Sequence, residues 1–235
     1  MPPADLSVVE VDIHSHLIPA IDDGARKIDE TLELAAAFVD LGYRKVITTP
    51  HVKSADFPNT EEGILTGLRE VQEACRQEAI PLEIEAAAEY YLDHEFLKKI
   101  ENRDLLTFGS HHVLFELPFV GEPPILDEVV VLLQAADYRP VLAHPERYEF
   151  WHHSFGRYRE LHEMGVILQL NMNSLTEYYS RKTREIAECM IAEGLVRLLG
   201  SDCHHSDHVR VMNDARHSRA LYRLLGSGCL LNPGL

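Results

Sequence analysis

The sequence predicts an α/β protein in which seven parallel strands alternate with helices and close, or nearly close, into a barrel. Three observations carry this. Short apolar runs alternate with segments of helical period, the pattern of repeated βαβ units. Right-handed crossovers then make a barrel the economical topology. Finally, His14, His51, Glu89, His144 and Asp202 each stand at or just beyond the end of an apolar run, and barrels of this kind gather their active sites at the C-terminal strand ends. At 235 residues the chain fits one domain over 1–235.

Taken in order, the apolar pattern predicts a strand over 8–13 and a helix over 29–41, capped by Asp29, facing the core with Leu32, Leu34, Ala35, Phe38 and Leu41, and stopped by Gly42. A strand over 45–49 precedes a helix over 60–77, read from Ile64, Leu68, Val71 and Cys75 and weakened by Gly63 and Gly67. A strand over 82–88 ends at Glu89, a short helix covers 93–101, and the next strand covers 113–117 before the Pro118 and Pro123-Pro124 loop. Helices over 127–136, 158–163 and 183–193 then alternate with strands over 141–143, 166–170 and 196–199, and a last helix runs over 209–224. No internal repeat or linker interrupts the series.

Hydrophobic residues make up 46% and charged residues 26%, an ordinary globular balance. Apolar runs fall short of the roughly 18 residues a membrane span needs, and the opening Met-Pro-Pro-Ala-Asp lacks a signal peptide's basic and apolar regions, so a cytoplasmic location is expected. The net charge of −16 argues against a nucleic-acid surface. An anionic substrate would instead need local positive charge, which bound metal ions supply.

Cys75, Cys189, Cys203 and Cys229 show no paired spacing, so reduced thiols are expected. A cysteine-dependent tyrosine phosphatase carries Arg six residues after its nucleophile. Here those positions hold Pro81, Leu195, Val209 and Leu235, which excludes that mechanism.

In DIHSH (12–16), residues i and i+2 of an extended segment project to one side, making His14 and His16 a ready ligand pair. Further on stand IDDGA (21–25), TTPH (48–51), Glu89, FELP (115–118), HPER (144–147) and GSDCH (200–204). The set resembles a polymerase and histidinol phosphatase (PHP) domain. More narrowly, it resembles the bacterial manganese-dependent protein tyrosine phosphatases encoded with capsule and exopolysaccharide genes.

The resemblance implies a distorted, TIM-like (β/α)7 barrel holding three divalent metal ions. One would be bound by His14, His16, Glu89 and Asp202, a second by Glu89, Glu116 and His144, and a third by Asp23, His51 and His204. Ligand softness alone suits manganese, iron or zinc, and the resemblance selects manganese. Three divalent ions against four carboxylates and a bridging hydroxide leave about +1, a positive centre inside an acidic protein. A metal pair about 3.5–4 Å apart activates a shared water for in-line attack on phosphorus.

Arg147 and Arg210 are the expected substrate-binding and catalytic cations, although His204-His205-Ser206-Asp207-His208-Val209-Arg210 lacks the family's usual Ser-Arg-Pro-Pro and displaces the arginine. The implied partner is a phosphotyrosine protein, the tyrosine-rich tail of an autophosphorylating bacterial kinase. The alternative keeps the site and takes histidinol phosphate or another small phosphomonoester. A non-catalytic scaffold is disfavoured because all nine ligands are present.

The remaining residues have plainer readings. Asp12 is expected either to orient an imidazole or to be an ordinary strand-end acid, Asp22 to serve a turn, and Cys203 to pack. His94, His111, His112, His152, His153, His162, His205, His208 and His217 are expected to face solvent, with His152, His153, His205 and His208 near the mouth. Phe57, Tyr90, Tyr91, Phe119, Tyr148, Phe150 and Trp151 are candidates for an aromatic rim.

Overall fold

Residues 2–235 are described by the structure, a computed structural model. Of the stretch expected as a strand over 8–13, Val8 belongs to a 3-10 turn at Leu6–Val8 and β1 covers Val11–Asp12. Helix α1 (Ile28–Leu41) leads to β2 (Lys45–Thr48) and β3 (His51–Val52), and α2 (Glu61–Gln77) to β4 (Glu83–Ala86) and β5 (Glu89–Tyr91). Then follow α3 (His94–Asn102), β6 (His112–Glu116), α4 (Leu126–Ala135), β7 (Arg139–Ala143), α5 (Gly156–Glu163), β8 (Ile167–Asn171), α6 (Arg181–Ala192) and β9 (Val196–Gly200). The chain closes with α7 (Ser206–Ala215) and α8 (Arg219–Leu225).

Local chemistry explains most boundaries. Thr60 caps α2 by accepting from the Gly63 N–H at 3.1 Å, and Asp93 caps α3 by accepting from Glu95 and Phe96. Asp29 is not a cap. It lies in the first turn of α1, behind Lys27, where its charge faces the positive helix end. The single last helix expected over 209–224 is two, because Ser218 leaves helical geometry and caps α8 through the Ala220 N–H.

All pairings between these strands are parallel, in a three-stranded sheet β1-β2-β4 and a six-stranded sheet β3-β5-β6-β7-β8-β9. Seven strands become nine because, beyond the ends of the expected second and third, the chain resumes pairing after a break, as β3 and β5. Pro50, which has no N–H for a ladder, ends β2. The paired strand breaks beside it, at Ala87-Ala88, and the two stay in step through Ala87 N–H to Thr48 O and Glu89 N–H to Pro50 O. The result is seven staves, two of them kinked.

The first and last staves share no ladder. An isolated bridge joins Ser15 to Cys203, flanked by Asp202 N–H to His14 O at 2.7 Å and His16 N–H to Cys203 O at 2.9 Å. Side chains stitch the rest of this seam. Buried Asn232 donates to Val11 O at 2.9 Å and Leu199 O at 2.7 Å and accepts from the Leu199 N–H. Asp12 accepts from the Ser201 N–H at 2.8 Å and hydroxyl at 3.0 Å. Its carboxylate therefore binds the opposite strand end rather than orienting an imidazole.

Period-2 alternation divides the core. Val11, Ile13, Ile47, Leu114, Val141 and Leu198 fill the barrel, whereas Val46, Ile84, Phe115, Leu142 and Leu168 pack with helix residues such as Phe38, Ile64 and Leu133. Each such side chain contributes about 1.5–3 kcal/mol of burial, and a one-residue slip would exchange the two faces. Leu114 facing inward thus dictates that Glu116, two residues on, faces inward at the mouth. Among the described residues no helix is long and apolar enough to cross a membrane.

Candidate metal centre

Glu89, the first residue of β5 and fully buried, lies at the centre of the mouth. Its Oε2 is 3.1 Å from His14 Nε2, 3.6 Å from His16 Nε2 and 3.1 Å from His51 Nδ1, while Oε1 meets His144 Nε2 at 3.1 Å. Asp202 Oδ1 lies 3.4 Å from both His14 Nε2 and His16 Nε2. Asp23 Oδ1 is 3.4 Å from His51 Nε2 and from His204 Nε2.

All nine residues singled out as ligands therefore meet in one place. Three groups bring donor atoms within 4.8 Å of one another: His16, Asp23, His51 and His204; His14, Glu89, His144 and Asp202; and His51, Glu89 and Glu116. None of the three groups repeats an expected set: His16 stands with Asp23, His51 and His204, and His144 stands with His14, Glu89 and Asp202. Glu116 Oε1 approaches His51 Nδ1, at 3.4 Å, rather than joining a group with His144.

The donor set fits divalent metal ions. Buried His14 Nε2, His16 Nε2, His51 Nδ1 and Glu89 Oε2 have no hydrogen-bond partner among the described residues. An unsatisfied buried polar atom costs about 1–3 kcal/mol, and a cation bound among these four would relieve that cost for all of them. Mixed imidazole and carboxylate donors suit manganese, iron or zinc.

Partners behind the ligands fix which nitrogen faces inward. His14 Nδ1 bonds Gln169 Oε1 at 2.9 Å, and the Gln169 amide cannot turn because its Nε2 donates to Leu170 O at 2.7 Å. His16 Nδ1 bonds Asp22 Oδ2 at 2.8 Å, and His204 Nδ1 faces Asp202 O at 2.9 Å. Asp22 does serve its turn, accepting from the Gly24 N–H, but it also takes the His51 N–H, so it binds two ligand residues. Gly24 permits this fold-back: a Cβ there would lie 2.3 Å from His16 O. Gly200 allows β9 the same closeness, since its Cβ would meet His14 Cβ at 2.7 Å.

Electrostatics follow from this crowding. Burial pushes the Glu89 carboxyl up, but His14 and His51 outweigh it and hold the group well below the usual carboxylate range. Burial, then the charges of Glu89 and Asp202, push Glu116 well above that range. His14 is lowered by burial yet raised to about 9 by Glu89 and Asp202. His144 and Asp202 both adopt left-handed backbone, φ 35° and 51°, the kind of conformation that concentrates at functional sites.

Above the ligands opens a cavity of about 950 Å³. Arg147, in the 3-10 turn after β7, reaches into it, with Nη1 2.5 Å from Asp202 Oδ2. Arg210 does not. Its side chain is 66% exposed and faces Asp207 and Asp214, because α7 begins at Ser206 and puts these acids three and four residues from it.

Phe57, Tyr91 and Phe119 line the cavity, joined by Lys53, Tyr178 and Tyr179, which sequence reasoning missed. Tyr178 and Tyr179 follow the end of β8, and the strand-end rule used for the ligands points to them too. The other expected rim residues lie elsewhere. Strand alternation turns Tyr90 away from Glu89, and its hydroxyl accepts from the Leu106 N–H at 2.7 Å. Tyr148 is buried against Leu117 N–H and Ala143 O, while Phe150 and Trp151 line a separate recess with Glu122 and Arg157.

Three histidines expected in solvent are buried. His112 sits at the opposite barrel end beside Phe108, His152 Nε2 bonds Glu146 O at 2.8 Å, and His208 accepts from the His204 N–H at 3.2 Å. Both His205 and His208 line the cavity. Cys203 is fully buried, and burial pushes its thiol above the ordinary range, in keeping with packing.

A parallel α/β array with nine His, Asp and Glu side chains gathered at its C-terminal mouth defines the class: a barrel with a candidate metal centre at its mouth. Residues 10–227 match the family described as capsular polysaccharide synthesis, CpsB/CapC, and the chain belongs to that family. The tyrosine-protein phosphatase YwqE of Bacillus subtilis (strain 168) is 28% identical to it over 196 residues, 83% of this chain and 77% of that protein. The tyrosine-protein phosphatase CpsB of Streptococcus pneumoniae is 28% identical over 203 residues, 84% of each. Among solved structures, one described as YwqE from Bacillus subtilis and CpsB from Streptococcus pneumoniae, unique metal-dependent tyrosine phosphatases, superposes with a TM-score of 0.83 at 26% identity, covering 95% of this chain and 90% of that one.

Proposed function

We propose that this chain is a metal-dependent phosphomonoesterase that hydrolyses phosphotyrosine in proteins. The observation that carries the reading is the meeting of nine ligand side chains and Arg147 under one open cavity with aromatic walls. Names of relatives on both sequence and structural grounds support the same substrate class.

The three donor groups, His14 with Glu89, His144 and Asp202, His16 with Asp23, His51 and His204, and His51 with Glu89 and Glu116, would between them hold the ions, and three manganese ions are proposed. When bound, such ions supply Lewis acidity and an activated water. The protein's own part is to bind and orient. Arg147 presents planar N–H donors to the non-bridging phosphate oxygens, and its fixed charge favours the dianion. Phe57, Tyr91 and Phe119 offer faces to the phenyl ring. The tyrosine leaving group, of pKa near 10, asks less of a general acid than an alkyl alcohol does. With its thiol buried, Cys203 has no part in a covalent intermediate.

An open mouth suits a tyrosine on an exposed segment, and the proposed substrate is the tyrosine-rich tail of an autophosphorylating bacterial kinase, dephosphorylated in the cytoplasm during capsule or exopolysaccharide synthesis. The test compares phosphate release from a phosphotyrosine peptide and from histidinol phosphate by manganese-loaded protein, with a chelator control. Preference for the peptide, lost on chelation, is the expected result. Preference for histidinol phosphate would overturn the substrate assignment, and activity indifferent to chelation would overturn the metal dependence.

A further inference from the structure

We propose that Tyr179, pinned by Asn171, positions the Arg147 guanidinium for phosphate. The inference rests on the reading of Arg147 as the phosphate-binding cation and adds the residues through which that cation is aimed. Arg147 Cζ lies 4.3 Å from the centre of the Tyr179 ring, with the Phe119 ring at 5.2 Å. Guanidinium donors all lie in the group's own plane, so a ring over its face covers it without taking a hydrogen bond away. The edges stay available, one to Asp202 and the rest to the cavity.

The Tyr179 ring is itself fixed. Its hydroxyl accepts from Asn171 Nδ2 at 3.0 Å, and the same Nδ2 donates to Asp202 Oδ2 at 3.0 Å. Asn171 cannot flip, because Oδ1 accepts from the Asn173 N–H at 2.9 Å. Its backbone N–H donates to Glu146 Oε1 at 3.0 Å, and the Ser174 hydroxyl donates to the same oxygen at 2.7 Å, tying the end of β8 to the turn that carries Arg147. A closed circuit results: Arg147 to Asp202, Asp202 to Asn171, Asn171 to Tyr179, and Tyr179 back to the face of Arg147. Without the ring, Asp202 alone would decide where the guanidinium points, and a carboxylate competes with phosphate for the same donors.

The experiment measures binding of inorganic phosphate to the manganese-loaded protein by calorimetry, alongside metal stoichiometry and kcat and KM on a small aryl phosphate. Tyr179→Leu is expected to weaken phosphate about tenfold, the order of a partly desolvated cation–π contact, with metal stoichiometry unchanged. Tyr179→Phe, which keeps the ring, is expected to stay within about threefold of the parent. In an Arg147→Lys background, Tyr179→Leu should cost little more, because the tyrosine acts through the arginine. Unaltered phosphate binding in Tyr179→Leu, equal losses in the Leu and Phe variants, or full additivity with Arg147→Lys would each overturn the proposal. A protein that binds phosphate as described but prefers histidinol phosphate would overturn the phosphotyrosine reading and leave this one standing.

Discussion

The carboxylate of Asp22 holds the ring of His16 from behind, Oδ2 to Nδ1 at 2.8 Å, and the same oxygen takes the backbone N–H of His51. One side chain thus sets the direction of one imidazole of the candidate metal centre and the start of the strand that carries another. Burial pushes its carboxyl up, but the charge and hydrogen bond of His16 outweigh it and keep Asp22 ionised. Its neighbour Asp23 lies on the other side of the ligands, facing His51 and His204.

Asp22→Asn keeps the shape and removes the charge. Metal affinity should fall about 10- to 100-fold, the usual cost of losing a partner behind a ligating histidine. Equilibrium dialysis would show this, and excess metal should restore most of the aryl phosphatase rate. Unchanged affinity would reduce Asp22 to a turn residue.

Arg210 and Arg147 should behave oppositely. Arg210→Ala breaks only exposed contacts on α7, so kcat/KM should stay within about twofold and stability within about 0.5 kcal/mol. Arg147→Ala should abolish measurable phosphate affinity. A large loss of kcat/KM in Arg210→Ala would mean that α7 swings its arginine into the mouth.

His112 gives a pH test away from the metal ligands. Burial, with Arg139 nearby, lowers its pKa, and its ring nitrogens have no hydrogen-bond partner among the described residues. The unfolded chain therefore takes up this proton more readily than the folded one. The stability that neutral His112 contributes is full above its ordinary pKa near 6.5 and falls below it, at up to about 1.4 kcal/mol per pH unit, until pH passes the lowered pKa of the folded state. His112→Leu should remove this part of the slope, read as urea midpoints at pH 8 and pH 5.5. Parallel slopes in both proteins would refute it.

Asn232→Ala should cost about 2–4 kcal/mol, because Val11 O, Leu199 O and Leu199 N–H all lose their partner in a buried place. Urea unfolding would measure it. A cost below about 0.5 kcal/mol would mean that water replaces the amide without penalty.

Much of this was legible in the chain. Apolar runs mark strands whatever the tertiary context, and a ligand at a strand end needs only the strand to place it, so His14, His51, Glu89, His144 and Asp202 were readable one at a time. Residues that act through a neighbour were not. Gln169 reads as an ordinary polar residue in β8 until His14 lies behind it, and Asp22 reads as a turn because its second partner, His51, is 29 residues away. Arg210 stands apart from the cavity for a related reason: family spacing suggested a role, but the start of α7 decides which way position 210 faces. The kinks at Pro50 and at Ala87-Ala88 were half visible, since proline marks one break and only pairing reveals the other.

The seam between β1 and β9 sets an order of events. Its stitches join residues 189 and 221 positions apart, contacts with a high loop-closure cost, so closure is expected late in folding and native opening is expected to start there. His14 and His16 belong to one side of that opening, Asp202 and His204 to the other. Whatever ligates both sides acts as a rivet across the split, and amide exchange near Ser15 and Cys203 should slow when the rivet is in place.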